Sequence, residues 1–288
     1  LKGSIFFVLL AAILWGTTGT AQALAPDSAH PIAYGAMRLA IGGSVLFLFV
    51  AFQKKLTWAN WSYSHLLLAA ISMACYQPAF FSAVKLTGIA VGTVVAIGSA
   101  PILAGIIEWA FQKKKPTKYW WLATGLAITG CVFLFLNDSA VTIQPFGIAL
   151  ALGAGLSFAL YTLASKQLLQ THPPDVVVAV VFTCSAILLV PLLFFFDLSW
   201  LFQINGIVSS LYIGIVATAI AYIFFVRGLH GIRASTAVTL SLAEPLTATL
   251  LGAFFVGEML TGLTWVGVAF VFLAMVVLGK QPKLETEK

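Results

Sequence analysis

The sequence predicts an all-α, polytopic membrane protein of ten transmembrane helices, arranged as two inverted five-helix repeats. Three observations predict it. Hydrophobic residues make up 61% of the 288 residues and charged residues only 8%, with a mean hydropathy of +1.03. A soluble domain carries roughly 25% charged residues, so too few polar side chains remain to cover a water-facing surface and much of the exterior must face lipid. Apolar runs of bilayer length recur between short polar breaks. Landmarks of the first half return in the second at a near-constant offset. Strands are excluded because the alternating segments of a barrel are absent, and lipid requires each backbone N–H and C=O to be satisfied locally.

The spans are expected at 4–24, 31–52, 63–86, 89–111, 118–136, 144–165, 175–196, 204–226, 233–255 and 261–279. The first follows Lys2 and holds Leu14-Trp15-Gly16. It has the look of a leader, with Ala23-Leu24-Ala25 as a small-residue cleavage site, but its length suits a bilayer, which needs about 20 residues. Further spans follow, so an uncleaved first helix is expected. The second starts at Pro31, carries Arg38 and stops before Lys54-Lys55. The third contains Tyr76-Gln77-Pro78 and turns through Leu86-Thr87-Gly88 directly into the fourth, which contains Pro101. Lys118, Trp120 and Trp121 open the fifth. The sixth to eighth carry Tyr161, Cys184 and Tyr222. The ninth holds Glu244-Pro245, and the break from Gly257 to Leu260 leads into the tenth. Such short breaks imply tight antiparallel hairpins.

Lys and Arg positions set the orientation. With the N-terminus inside, the inner loops and tails hold thirteen of them: Lys2, Lys54, Lys55, Lys113, Lys114, Lys115, Lys118, Lys166, Arg227, Arg233, Lys280, Lys283 and Lys288. The outer side holds Lys85 alone, beside Asp27, Asp138, Asp197 and Glu258, and Arg38 lies within a span. A miscounted helix would invert every later loop and spoil the bias, so the asymmetry supports ten spans with both termini cytoplasmic. The net charge of +6 is therefore a topology signal, and no nucleic-acid role is expected. Cys75, Cys131 and Cys184 lie in apolar runs without metal-ligand spacing. Trp58, Trp61, Trp120, Trp121 and Trp200 are expected in the interfacial aromatic belts.

The halves echo each other. Gly88-Ile89 closes one hairpin and Gly231-Ile232 another. Pro101 stands thirteen residues past Gly88, and Pro245 fourteen past Gly231. At an offset of 144, Thr117 and Trp121 match Thr261 and Trp265. Five spans per half is an odd number, so two homologous halves must sit upside down relative to each other, the plan of many carriers. The expected units are 1–136, 144–280 and a cytoplasmic tail, 281–288. Pro101 and Pro245 each remove a ladder hydrogen bond and bend a helix. They are read either as hinges whose released carbonyls line a cavity or as static kinks.

In Leu14-Trp15-Gly16, Arg38, Pro101, Glu244-Pro245, Gly257-Glu258, Trp265 and Gly267, in that order, the chain resembles the drug/metabolite transporter superfamily of EamA type, and within it the bacterial aromatic amino acid exporters. The resemblance spans essentially the whole chain. It implies ten helices from two inverted repeats, a central cavity lined mainly by the third, fourth, eighth and ninth helices, and alternating access. One departure is that Lys113-Lys114 stands where the repeat equivalent of Gly257-Glu258 would fall.

Charges inside a membrane are costly and default to functional hypotheses. Arg38 lies ~10 Å below the outer end of its helix and Glu244 ~14–17 Å below its own, at ~1.5 Å per residue. The two are expected to pair, directly or across water, as a coupling group or as a structural ion pair. Glu108, a turn from the Lys113 cluster, is expected to form an interfacial pair with it. Trp15, Tyr76, Gln77, Ser99, Tyr161, Tyr222 and Ser241 are the candidate substrate-binding residues. They lie near mid-span, where belt anchoring cannot explain an aromatic, and an apolar-walled cavity with a few polar groups suits a flat or amphipathic solute. Each could equally serve interhelix hydrogen bonding.

No P-loop, HExxH or GxSxG is present, so ATP hydrolysis and enzymatic chemistry are not expected. A channel would show rings of like charge or a carbonyl filter. No cofactor, no metal and no obligatory protein partner is expected; the partners are a small-molecule substrate and the lipid bilayer. Dianionic sugar-phosphates would call for clustered cavity cations, and Arg38 is the only deep one. The expected function is therefore alternating-access export or facilitation of amino acids, aromatic and other neutral ones, across the bacterial inner membrane. Export of toxic amphipathic cations such as methyl viologen, or of another small metabolite, is the alternative.

Overall fold

The structure is a computed structural model that describes residues 2–26, 28–57, 59–135, 144–256 and 260–280. The described residues are helices joined by short turns, with no strand among them. In chain order, α1 runs Lys2–Gly16 and continues as Thr18–Ala23, α2 Pro31–Phe52, α3 Tyr63–Thr87, α4 Ile89–Gln112 and α5 Lys118–Phe135. In the second half, α6 runs Pro145–Leu168, α7 Pro174–Leu193, α8 Ile204–Gly231, α9 Ala234–Leu240 with Ala243–Leu251, and α10 Gly262–Gly279. Among the described residues nine of these are long and apolar enough to cross a membrane. The remaining helix, α5, packs along α10. The protein is thus a multi-pass, all-α membrane protein.

Packing follows from small residues and a missing aqueous exterior. Large apolar side chains such as Phe6, Phe49, Leu67, Ile106, Phe194 and Phe272 lie exposed around the outside, where lipid tails solvate them. With no hydrophobic drive between helices in lipid, close approach must come from small residues. A Cβ built on Gly130 would stand 2.9 Å from the Gly267 carbonyl, and one on Gly267 would stand 2.8 Å from the Gly130 carbonyl. That reciprocal contact joins α5 to α10. Gly88, at φ 84°, is both the last cap of α3 and the first of α4. Its left-handed backbone permits the one-residue hairpin.

The principal helix contacts are α1 with α8, α3 with α6, α2 with α7, α4 with α6, α1 with α9 and α5 with α10. Moving every helix five places along the chain maps this set onto itself. The two halves therefore pack by one scheme, and the helices nearest the centre meet in a common aromatic core of Trp15, Tyr161, Phe182, Tyr222 and Phe225.

Helix ends shift by a few residues from expectation. α8 continues to Gly231 rather than 226, because the Lys166 ammonium accepts no bond but donates to the Leu229 and His230 carbonyls, 2.8 Å each, and so completes its last turn. α7 stops at Leu193, two residues past Pro191. Before α8, Asp197 accepts from the Ser199 N–H (2.8 Å) and hydroxyl (2.7 Å). Those bonds hold its carboxyl below the usual carboxylate range. Trp120 and Trp200 do not sit in an interfacial belt. Trp120 is buried under Gly105, and Trp200 is buried beside Tyr34, with ring centres 5.8 Å apart. Trp61 stacks on His172 at 4.0 Å. Trp121 stays exposed. Trp58, Asp27, Asp138, Gly257-Glu258 and the tail 281–288 lie outside the described residues.

The ninth helix is not the continuous 233–255 helix expected from its apolar run. It breaks at Ser241 and Leu242. Proline at 245 has no N–H for the Ser241 carbonyl, and the chain tightens instead. The Leu242 N–H reaches the Thr239 carbonyl (3.2 Å) and the Glu244 N–H reaches the Ser241 carbonyl (2.9 Å). Pro101, its repeat counterpart, sits inside an unbroken α4. Two π-helical stretches, Tyr212–Ile220 in α8 and Gly252–Val256 after α9, add further irregularity. Such stretches are rare and cluster at functional places.

Candidate functional site

A cavity lies where α1, α2, α3, α4, α6, α8 and α9 converge. It is lined by Trp15, Arg38, Tyr76, Ala96, Ile97, Ala100, Phe158, Tyr222, Ser241 and Glu244. Its volume is about 30 Å³, above the roughly 10–15 Å³ that one water needs and too small for a solute of amino-acid size. The helices must therefore part before such a solute enters.

Four aromatic rings make the apolar wall. Trp15 lies 4.7 Å from Tyr222 and 6.0 Å from Phe158, edge-on to the latter, and Tyr76 lies 5.8 Å from Phe158. Behind Tyr222, Phe182 packs at 4.5 Å. Gly16 lets this wall form. A Cβ there would stand 2.6 Å from Thr247 and 2.9 Å from the Glu244 carbonyl, so α1 and α9 touch backbone to backbone beside Trp15. The Trp15 indole N–H is buried without a hydrogen-bond partner.

Two opposite charges share the cavity. Arg38, 8% exposed, donates from Nε to the Thr218 hydroxyl (2.7 Å) and from Nη2 to the Ala217 carbonyl (3.0 Å). Both partners belong to the π-helical stretch of α8, so the irregular turn is what presents a hydroxyl and a carbonyl to the guanidinium. Gly42, one turn farther along α2, faces the same Thr218. Glu244 follows the break in α9 and turns its carboxylate to the cavity. The two do not touch; among the described residues the one ion pair is Lys55–Asp175 at 3.0 Å. Of the two pairing modes expected for Arg38 and Glu244, only the one across a gap agrees with this geometry. Ser241 spends its hydroxyl proton on the Val238 carbonyl, 2.7 Å, leaving oxygen lone pairs free at the break.

The cavity unites six of the nine predicted binding and charged residues: Trp15, Arg38, Tyr76, Tyr222, Ser241 and Glu244. It does not include Gln77, Ser99 or Tyr161. Gln77 is buried beside Gly35 and Phe81 with both amide atoms unpartnered. Ser99 bonds back to the Ala96 carbonyl (3.2 Å) and packs on Gly155. Tyr161 is fully buried against Phe182, Tyr222 and Phe225. Four further lining residues, Ala96, Ile97, Ala100 and Phe158, were not among the predicted ones. One signal could have found Phe158: it lies 143 residues after Trp15, in the offset range that relates the repeats. The lining also draws on α1, α2 and α6, beyond the four helices that the resemblance implied.

Two larger hollows flank the centre. Toward the end of the bundle away from the lysines, Thr17, Thr20, Ala21, Leu24, Asn205, Val208, Ser209, Tyr212 and Leu251 line about 470 Å³. Its floor is tied by the Tyr212 hydroxyl donating to Thr17 Oγ1 at 2.8 Å. Toward the basic end, Glu108, Gln112, Lys114, Lys166, Gln167, Gln170 and Arg233 line about 300 Å³. Glu108 does not pair with the Lys113 cluster as expected. Its carboxylate accepts from the Ser235 N–H and hydroxyl, joining α4 to α9, because those donors lie within the bundle while Lys113 leaves it at φ 59°.

The EamA-like transporter family profile matches residues 2–136 and again residues 145–279. The chain is 56% identical, over 98% of its length and 96% of the relative's, to the uncharacterized transporter YwfM of Bacillus subtilis (strain 168). It is 29% identical to the threonine/homoserine exporter RhtA of Escherichia coli (strain K12), over 89% of this chain and 84% of that one. Protein PecM of Dickeya dadantii (strain 3937) is 26% identical over 94% and 91%. A crystal structure superposes with a TM-score of 0.84 at 19% identity, covering 96% of each chain, which establishes the shared fold.

Proposed function

The chain belongs to the EamA-like transporter family, and we propose that it is an alternating-access carrier that exports or facilitates neutral amino acids, aromatic ones included. We take the membrane to be the bacterial inner membrane, with both termini cytoplasmic. The observation that carries the reading is the central cavity, where a cation and an anion face one hollow without touching and aromatic rings close the rest. A zwitterion fits that pattern: its carboxylate toward Arg38, its ammonium toward Glu244, its side chain on Trp15, Tyr76, Phe158 and Tyr222. Cation–π attraction from the rings adds to the ammonium's side. The name of RhtA supports amino acids as the class.

The mechanism rests on the repeats. The two stretches matched by one family profile, 2–136 and 145–279, are the two units, and five crossings each make them inverted. Exchange of the two units' conformations then opens the cavity first to one side and then to the other. The breaks in α9 and the π-helical stretch of α8 are the compliant points, and Pro245 is a better hinge than Pro101, whose helix stays whole. Glu244 has no side-chain hydrogen-bond partner among the described residues and is the residue through which a proton could be exchanged for substrate.

A second reading has its own observation. Arg38 is already engaged by Thr218 and Ala217, which leaves Glu244 and the rings to attract an amphipathic cation. Counterflow in proteoliposomes, with labelled phenylalanine competed by threonine and by methyl viologen, separates the readings. Competition by threonine and not by methyl viologen is the expected result. Absence of saturable phenylalanine transport, with methyl viologen carried instead, would overturn it.

A further inference from the structure

The hollow at the basic end is not needed for the transport cycle above, and its chemistry differs from the central cavity. Lys114, Lys166 and Arg233 supply three cations and Glu108 one carboxylate. That carboxylate is drawn toward α9, its Oε2 accepting both bonds from Ser235, and it offsets one of the three positive charges. No ion pair neutralises the cations among the described residues. Arg233 donates Nη1 to the Lys115 carbonyl at 2.7 Å, which fixes its fork in place, while its Nε is buried without a partner. A guanidinium held by one nitrogen and unsatisfied at the next is a donor set awaiting an acceptor. Lys166 is anchored by two carbonyls and keeps a third N–H. Lys114 stands exposed on the rim with no bonded partner. The amides of Gln112, Gln167 and Gln170 complete the wall. The volume of about 300 Å³ is ample for a tetrahedral oxyanion and its ester arms.

We infer that this hollow is an anion site for a phosphate group, held by Lys114, Lys166 and Arg233 at the basic ends of α4, α6 and α9. The planar guanidinium fork matches two phosphate oxygens, and the lysines act as point charges beside it. The hollow opens at the membrane face toward which the lysines cluster, so the phosphate can come from an anionic lipid headgroup or from a soluble phosphate. Either source joins residues of the first half (Lys114) to the second (Lys166, Arg233) and so stabilises the arrangement in which Glu108 and Ser235 are in contact.

The test uses the full chain in two series. In nanodiscs of phosphatidylcholine, thermal melting is followed with and without inorganic phosphate, using chloride at matched ionic strength as the control. In a second series phosphatidylglycerol replaces part of the phosphatidylcholine, with no phosphate added. The expected result is a rise in Tm on the order of 5 °C for at least one source at saturation. A rise with phosphatidylglycerol alone identifies the headgroup, and a rise with phosphate identifies the soluble anion. K114Q, on the exposed rim, is expected to halve the rise while its melting in plain phosphatidylcholine stays unchanged; K114Q/R233Q is expected to abolish it. No rise from either source, or the same rise in K114Q/R233Q as in the native chain, overturns the inference.

Discussion

Arg38→Met removes the guanidinium and keeps most of the side chain's apolar length. Two bonds are lost, 2.7 Å to the Thr218 hydroxyl and 3.0 Å to the Ala217 carbonyl. Each orphaned buried group costs about 1–3 kcal/mol. The hydroxyl can turn to a carbonyl of its own helix, so only Ala217 counts in full. The methionine also spares the desolvation of a buried charge. The net loss is roughly 1–2 kcal/mol, which for a chain of this size corresponds to a fall in Tm of about 2–8 °C. Thr218→Val alone strands the Nε–H and costs a similar ~1–3 kcal/mol. The double variant then loses nothing further, since the hydroxyl's work is done on Arg38. R38M/T218V should therefore melt within about 1–2 °C of R38M, a coupling of roughly 1–3 kcal/mol, the whole cost of T218V. Melting of purified protein in one detergent gives all four values. Strict additivity of the two single effects would refute the coupling between Arg38 and the Thr218 hydroxyl.

Glu244→Gln keeps volume and hydrogen-bonding shape but removes charge. Substrate counterflow should fall at least ~10-fold, the loss of one charge-assisted contact, with Tm unchanged; intact transport would remove Glu244 from the site. Gly16→Ala should destabilise by about 1–3 kcal/mol, because its Cβ meets Thr247 at 2.6 Å. Gly98→Ala, whose Cβ would meet only Ile128 at 3.9 Å, should be neutral or stabilising by about 0.5–1 kcal/mol; thermal melts of the two side by side decide. Tyr212→Phe cuts the tie to Thr17 and should cost about 0.5–1.5 kcal/mol. It should also speed labelling of a cysteine placed at Leu24, and an unchanged labelling rate would show that this bond closes nothing.

The architecture was readable because lipid imposes it. Composition, run length and the distribution of lysines act on whole helices, and each of the ten emerged within a few residues of its expected place. The misplaced features are those where a single side chain meets a particular neighbour. Trp120 and Trp200 look like belt tryptophans by position, yet Gly105 leaves a space that Trp120 fills and Tyr34 covers Trp200. Glu108 looks like a partner for Lys113, yet the chain leaves α4 in a left-handed turn and the nearer donors belong to Ser235. Depth along a helix is legible in a sequence; azimuth is not, when the helix is apolar all round. That is why Gln77 and Ser99 fell on the wrong faces although Tyr76 and Ile97 nearby reach the cavity.

The departure of α9 from α4 shows what the repeat alone cannot give. Both helices carry a proline at matching places, and sequence logic treats the pair as equals. Four residues before its proline α9 has Ser241, whose hydroxyl takes the Val238 carbonyl, and past it the Glu244 N–H folds back onto the Ser241 carbonyl. At the place of Ser241 α4 has Ile97; its own serine, Ser99, stands two residues before Pro101 and takes the Ala96 carbonyl at 3.2 Å, and α4 stays whole. The broken helix also carries the cavity's one carboxylate, while the arginine opposite is fastened to the other irregular helix, α8. The carboxylate and both irregular helices therefore lie in the second half, the arginine of the first half is fastened to one of them, and α1 contacts both helices directly. On the carrier reading proposed above, a solute bridging Glu244 and Arg38 would pull on α9 at the break at Ser241 and Leu242, where the regular helix hydrogen bonding is interrupted.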